Sequence, residues 1–422
     1  MKKVQSFMDF LSYSKTAYHA VEAMRKTLTE LGYTELYEAD AWTLTEGNYF
    51  VVRGGSSLIA FRVSGAKNGF MIVASHADSP AFRIKGASAR AGAYLSLDTE
   101  RYGGTITYSW FDRPLTVAGR VMVRNDSGVS ERLVSSDSPL FVIPSVAPHL
   151  NRKIEEAFSP NANVDTYPLF SLCGDNKFES LLERLSGESY DNILASDLYL
   201  VNAEAPVRIG AEEELLLAPR IDDLGCVYTS MEAFLSAKDS ESIPVLAVFN
   251  NEEIGSATAE GAGSTFLFDT LSRIAGENYR TMIANSFMVS ADNAHAKHPN
   301  HPELSDTKEF CILGGGVVIK HNANRRYATD AYSESIFRSI VSKSGAALQD
   351  YSNRPDIPGG GTLGCISDTK VSVPTVDIGI AQLAMHSTME TCAVSDLEAM
   401  TDALTAFFSA SIERRGNDTV IK

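Results

Sequence analysis

The chain reads as an α/β domain split by a β-rich insertion. Short, wholly apolar strand-like runs flank a middle stretch of different texture. Short polar clusters rich in histidine and carboxylate stand at the ends of those runs. A short run with no polar face suits a strand buried on both sides, as in the parallel part of an α/β sheet.

In chain order, residues 16–31 place Val21, Met24, Leu28 and Leu31 on one helical stripe, with Gly32 set to end it. YFVV from Tyr49 and SLIAFRV from Ser57 flank Gly54 and Gly55, which predicts a hairpin. FMIVA, Phe70 to Ala74, is the first doubly buried strand. TITYSW at 105–110 and LTVAGRVMV at 115–123 then read as strands, with Asn125-Asp126-Ser127-Gly128 as a turn. Residues 151–195 read as a polar loop holding Pro160, Pro168 and Gly174. The α/β texture returns with IPVLAVF at 243–249, NSFMVSA at 285–291 and VPTVDIGI at 373–380. A helix from about Asp223 turns Leu224, Val227, Met231 and Phe234 inward, and the last helix is expected to open with a capping box, Ser395 to Glu398.

Composition narrows the function classes. Hydrophobic residues at 44% and charged residues at 21% suit an ordinary globular protein. The net charge of −16 argues against nucleic acid or an anionic membrane as the main partner. Five scattered cysteines without a CxxC pair disfavour a disulfide framework or a thiolate zinc site, and they suit a reducing compartment. Asp9 and Lys15 interrupt the apolar core that a signal peptide needs, and no run has the length of a membrane span. The expected location is the cytoplasm.

Five polar clusters carry the chemistry. SHADSP holds His76 and Asp78, RIDDLG holds Asp222 and Asp223, NNEEIGS holds Glu252 and Glu253, SADNAH holds Asp292, and LAMHST holds His386. Ligand sites in open α/β sheets gather outside the carboxyl ends of the strands, so these groups are placed to converge. Two imidazoles with several carboxylates suit zinc, cobalt or manganese, and one carboxylate bridging two cations would make a two-metal hydrolytic site. Each cluster also has a plainer reading. A strand-end histidine is often structural, Asp-Asp before a helix is often N-capping, and Glu-Glu is often solvated. His295, His298 and His301 read as a polar loop beside the site, because their spacing fits no common zinc pattern. Gly314–Gly316 and Gly359–Gly361 lack the Lys-Ser/Thr that completes a phosphate loop.

The ordered set SHADSP, RIDDLG, NNEEIGS, SADNAHAKHPN, GGVVIKHNANRRYATD and QLAMHST resembles the aspartyl aminopeptidase family, metallopeptidase family M18. SWFDRPLTVAGRV at 109–121 and IPSVAPHLNR at 143–152 extend the resemblance over essentially the whole chain. It implies a three-layer α/β/α metallopeptidase domain with a mixed central sheet, formed by 1–87 and 209–422, and an inserted dimerisation domain at 88–208. It further implies two divalent ions, zinc first and cobalt or manganese as alternatives. Asp222 would bridge them, His76 and Asp292 would complete one site, and Glu253 and His386 the other. Glu252 would be the general base, and Asp78 would orient His76. Lys320 would select acidic N-terminal residues of short peptides, although a lysine ending a strand at the surface is the plainer reading. His149 would reach a neighbouring subunit of a dimer-based dodecamer. The loop Pro358-Gly359-Gly360-Gly361-Thr362 departs from the Pro-Cys-Gly of relatives and puts the residue preference in question. The competing functions are a two-metal deacylase of N-acylated amino acids, a neutral-residue aminopeptidase and a non-enzymatic shell protein.

Overall fold

The computed structural model describes residues 2–65, 68–153, 158–174, 177–416 and 418–422. Among them, nine strands form a central sheet: β1 (Thr34–Leu36), β2 (Gly47–Arg53), β3 (Ser57–Val63), β4 (Phe70–His76), β5 (Ile243–Phe249), β6 (Phe287–Ala291), β7 (Val317–His321), β8 (Leu348–Ser352) and β9 (Thr375–Gly379). Their spatial order is β1-β2-β3-β5-β4-β6-β9-β7-β8. The inner four run parallel, whereas β3 against β5 and β7 against β9 are antiparallel, so the sheet is mixed.

The apolar runs bury both faces by the period of two that a strand imposes. In β4, Met71 and Val73 enter one core while Phe70, Ile72 and Ala74 enter the other, and β5 divides in the same way. The first core is closed by helices Lys2–Tyr13, Ala17–Glu30, Ile221–Ser236, Ala331–Val341 and Val394–Phe408, and the second by Phe266–Ala275, Tyr279–Ala284 and Leu363–Asp368. This is the expected three-layer α/β/α arrangement. Each fully buried Leu, Ile or Phe contributes about 1.5–3 kcal/mol.

A separate six-stranded antiparallel sheet lies between Ala81 and Asn202, in the order Gly128–Ser135, Leu115–Asn125, Ile193–Asn202, Ala81–Arg90, Tyr94–Tyr102, Leu169–Leu172. Its own core holds Phe82, Trp110, Leu115, Val117 and Leu198. The strand at Ala81 starts this unit earlier than the boundary expected at 88, directly after Pro80. A third sheet joins Val207–Ile209, Leu215–Ala218, Glu390–Ala393, Ala381–Leu383 and Ala294–His295.

Three local expectations are corrected. TITYSW contains a 3-10 turn, Thr107–Trp110, with Trp110 Nε1 donating to Thr105 Oγ1 at 2.6 Å. The stretch 151–195, part of which lies outside the described residues, holds a helix, Lys177–Ser186, that buries Phe178, Leu181 and Leu182. The last helix begins at Val394 with Ala393 as its N-cap, not Ser395, because the strand Glu390–Ala393 runs straight into it and the Val394 N–H donates to Glu214 O at 3.0 Å.

Candidate metal centre

The parallel strands set the site. His76 is the last residue of β4, opposite Phe249 at the end of β5, so the turn Glu252–Ile254 emerges beside it. Asp292 follows the end of β6. Asp222 and Asp223 open the helix Ile221–Ser236 with non-helical backbone angles, and the peptide between them is cis. His386, with φ +69°, lies on the loop after Ala381–Leu383.

Two clusters share Asp222. His76, Asp222, Asp223 and Asp292 bring one ligand atom each within 4.8 Å of one another, as do Asp222, Glu253 and His386. The Oδ1 of Asp222 stands 3.7 Å from His76 Nε2, and its Oδ2 stands 3.3 Å from His386 Nε2. Glu253 Oε2 is 3.4 Å from the same His386 nitrogen. Each imidazole turns its other nitrogen to a backbone carbonyl: His76 Nδ1 to Asp78 O and His386 Nδ1 to Gly104 O, both at 3.1 Å. A carbonyl can only accept, so each Nδ1 carries a proton, which leaves Nε2 as the nitrogen of each ring that could ligate a cation.

The donor set fits two divalent cations. Asp222 Oδ1, Asp223 Oδ1 and Glu253 Oε1 are buried oxygens without a hydrogen-bond donor. Orphaned buried acceptors are costly unless a cation satisfies them. Ligand atoms about 2.0–2.1 Å from a tetrahedral zinc stand about 3.3 Å apart, close to the spacings around His386. A third group, His321, Glu334 and Asp350, has similar reach, but Arg338 already binds both of its carboxylates.

Electrostatics follow from burial. Burial pushes Asp223 and Glu253 well up, with neighbouring carboxylates adding to the rise. Burial also lifts Asp292, against the pull of Lys320. Burial opposes charge on His76, yet Asp223 and Asp78 outweigh it and raise its pKa. His386 is lifted to about 10, with Asp222 and Glu253 overcoming burial. Burial lifts Glu252 to about 7, with Asp292, Asp222 and Asp78 adding repulsion.

Asp78 accepts the N–H groups of Glu252 at 3.1 Å and Glu253 at 3.2 Å, and its Oδ1 lies 3.4 Å from His76 Nδ1. Lys320 is not a surface lysine. It is 1% exposed, donates to Asn293 O at 3.2 Å and lies 3.8 Å from Asp292 Oδ1. His149 stands exposed in the turn 148–150 of the inserted unit, outside this cluster. His298 and His301 are a ring pair at 5.3 Å on the 295–301 loop, and His295 meets Tyr351 edge-on; none joins the cluster.

Sequence reasoning assigned no role to three residues here. Asp223 accepts the His76 N–H at 3.2 Å, and only its neighbour was given a task. Glu390 accepts the N–H groups of Asp222 at 2.9 Å and His386 at 2.7 Å; its position four residues after His386 was the available signal. Tyr102 donates to Asp78 Oδ2 at 2.6 Å from the inserted unit, and no local pattern marks it. A cleft of about 710 Å³, open to solvent, reaches Asp78, His386 and Glu390 past Tyr102, Trp110 and Tyr199.

Comparison with known proteins identifies the family. The profile of the family described as aminopeptidase I zinc metalloprotease (M18) matches residues 10–408. A probable M18 family aminopeptidase 2 of Clostridium acetobutylicum is 40% identical over 412 residues, 93% of this chain and 95% of that protein. A probable aspartyl aminopeptidase of Ricinus communis is 34% identical over 460 residues, 95% of this chain and 94% of that one. A solved structure of the S. cerevisiae mApe1 dodecamer superposes with a TM-score of 0.83 at 25% identity, covering 96% of this chain and 95% of that one. With the family profile spanning nearly its full length, the chain belongs to the M18 metalloaminopeptidases.

Proposed function

We propose that this aminopeptidase works with two divalent ions, zinc first, and releases N-terminal aspartate or glutamate from short peptides. The observation that carries the reading is Asp222, whose two oxygens each face the Nε2 of a different histidine. His76, Asp223 and Asp292 would hold one ion, Glu253 and His386 the other, with Asp222 shared. When bound, such ions polarise the scissile carbonyl and lower the pKa of water. Glu252 takes the proton of the attacking water and returns it to the leaving amine. Burial and neighbouring carboxylates lift its carboxyl in the metal-free chain, and a carboxylate beside the cluster can carry the proton between water and amine. Asp78 holds the Glu252–Glu253 turn by two backbone N–H groups and keeps His76 oriented.

Lys320 supports the acidic preference. Burial opposes its charge, but Asp292, Tyr327 and Asp377 together outweigh burial and raise its pKa, so it stays cationic beside the cluster. The castor bean relative, a probable aspartyl aminopeptidase, points the same way. The yeast relative's dodecamer supports a homo-oligomer, in which His149 approaches a neighbouring active site. Leu150, 84% exposed, and Val164, 67% exposed, offer apolar surface on the same unit. Five unpaired cysteines suit the cytoplasm.

The test is hydrolysis of free-amine Asp-, Glu-, Ala- and Leu-anilides, with N-acetylated controls, with and without chelator. Chelator-sensitive release favouring Asp and Glu is expected. Activity confined to neutral residues would remove the acidic preference while keeping the two-metal reading. Sedimentation of the free enzyme as monomers only would remove the role of His149.

A further inference from the structure

The strand Tyr94–Tyr102 of the inserted unit runs into Gly103 and Gly104, and this segment touches both sides of the metal centre. Tyr102 Oη donates to Asp78 Oδ2 at 2.6 Å. A Cβ on Gly103 would stand 3.1 Å from Glu253 Cβ, and Gly104 O receives His386 Nδ1. The Tyr102 proton has a determined direction. A carboxylate can only accept, so the contact with Asp78 requires the hydroxyl to donate; Asn251 Nδ2 lies on its other side at 2.9 Å, with Asn251 Oδ1 towards Thr258 Oγ1, also at 2.9 Å. With its single proton on the Asp78 bond, the hydroxyl accepts from the amide. Asp78 is buried and now holds three donors: Tyr102 O–H, Glu252 N–H and Glu253 N–H.

We propose that Tyr102 is a positioning residue for peptide hydrolysis, by which the inserted unit orients Asp78 and, through it, the Glu252–Glu253 turn. The proposal rests on Glu252 acting as the base. Without the hydroxyl, Asp78 keeps one backbone donor on each oxygen, but Oδ2 loses the shorter of its two bonds and with it the tie to the inserted unit. The base then sits less well over the reacting water, and a displacement of about 1 Å is enough to cost up to ~10²-fold in rate.

The experiment uses the full-length enzyme and its Tyr102→Phe, Asp78→Asn, double and Glu252→Gln variants. For each, kcat and KM on an N-terminal Asp anilide are measured with bound zinc per chain and melting temperature. Tyr102→Phe is expected to lower kcat about 10- to 100-fold, with KM within about twofold. Zinc content and melting temperature should match the parent. In the Asp78→Asn background, removing the hydroxyl should add nothing, because the effect passes through Asp78. Wild-type kcat in Tyr102→Phe, or losses that multiply in the double variant, would overturn the proposal. So would a kcat loss that tracks lost zinc or a lowered melting temperature, which would mark a structural role. If Tyr102→Phe does not fold, Asn251→Asp keeps the hydroxyl but competes for its proton; a several-fold drop in kcat supports the proposal and an unchanged kcat refutes it. Near-wild-type turnover in Glu252→Gln removes the base assignment and this inference together. An inactive Glu252→Gln beside an unimpaired Tyr102→Phe removes Tyr102 alone.

Discussion

The two halves of the candidate metal centre are built differently. His76, Asp223 and Asp292 are 1%, 0% and 8% exposed and stand at strand or helix ends inside the catalytic domain. Glu253 sits on a 3-10 turn, and His386 lies on a loop with its side chain 29% exposed. His386 is also fastened to the inserted unit, which gives it the Gly104 carbonyl and the Ile106 N–H. The first half therefore takes its candidate ligands from strand and helix ends, whereas His386 sits on a loop that the inserted unit holds directly. Metal affinity and resistance to unfolding should differ between the halves, while turnover should need both.

The largest expected effect erases the difference. Stripping the ions with chelator should abolish hydrolysis and lower the melting temperature by more than about 5 °C, because buried carboxylates lose their counter-charge. Calorimetry with and without re-added zinc checks this, and an unchanged melting temperature would contradict the cation fit.

Glu252→Gln should slow turnover by roughly two to four decades with zinc still bound. A near-normal rate would remove its role as base.

The comparison itself is broken or kept by a pair of variants. His76→Ala opens a buried gap among carboxylates and should cost roughly 3–5 kcal/mol of stability. His386→Ala, at the more exposed end, should cost about 1 kcal/mol and leave one zinc per chain. Equal losses in denaturant melts would show that the halves are energetically alike.

Lys320→Met should lower kcat/KM for Asp-anilide by about tenfold or more relative to Leu-anilide, as expected for losing a charged hydrogen-bond partner. A parallel fall on both substrates would place Lys320 in support of Asp292 alone.

A control away from the cluster concerns pH. Burial, then Lys15 and Arg220, lowers His19 from 6.5 to about 4. Below pH 6.5 the unfolded chain binds a proton that the folded chain refuses. This stability is complete above pH 6.5 and is lost as pH falls towards 4, by at most about 3 kcal/mol. His19→Gln should flatten that limb in denaturant melts at pH 7 and 4.5 without changing kcat at pH 7.5.

Much of the fold was legible because its signals are local. Phe70–Ala74 and Ile243–Phe249 carry no polar face, so they had to be buried strands, and the residues following them had to emerge at one sheet edge. The helix Lys177–Ser186 was missed: Phe178, Leu181 and Leu182 keep helical spacing, but the prolines and glycine upstream made the stretch read as a loop. The Ser395 capping box failed because a competing backbone bond from Glu214 starts the helix earlier. TITYSW alternates like a strand, yet the Trp110–Thr105 bond accompanies a turn.

By itself the sequence determined the layers around the central sheet, the family, and that the strand-end histidines and carboxylates would converge. The layers follow from hydrophobic period, the convergence of the polar clusters from their places at strand ends, and the family from the resemblance of the ordered motifs, all properties of neighbours along the chain. Only the tertiary structure decided that Lys320 is buried, that Asp223 and Glu390 brace the two histidines, and that Tyr102 reaches Asp78 from another unit. Each is a contact between segments far apart in sequence. The direction of a hydrogen bond across such a gap is set by packing, which local residue order does not encode.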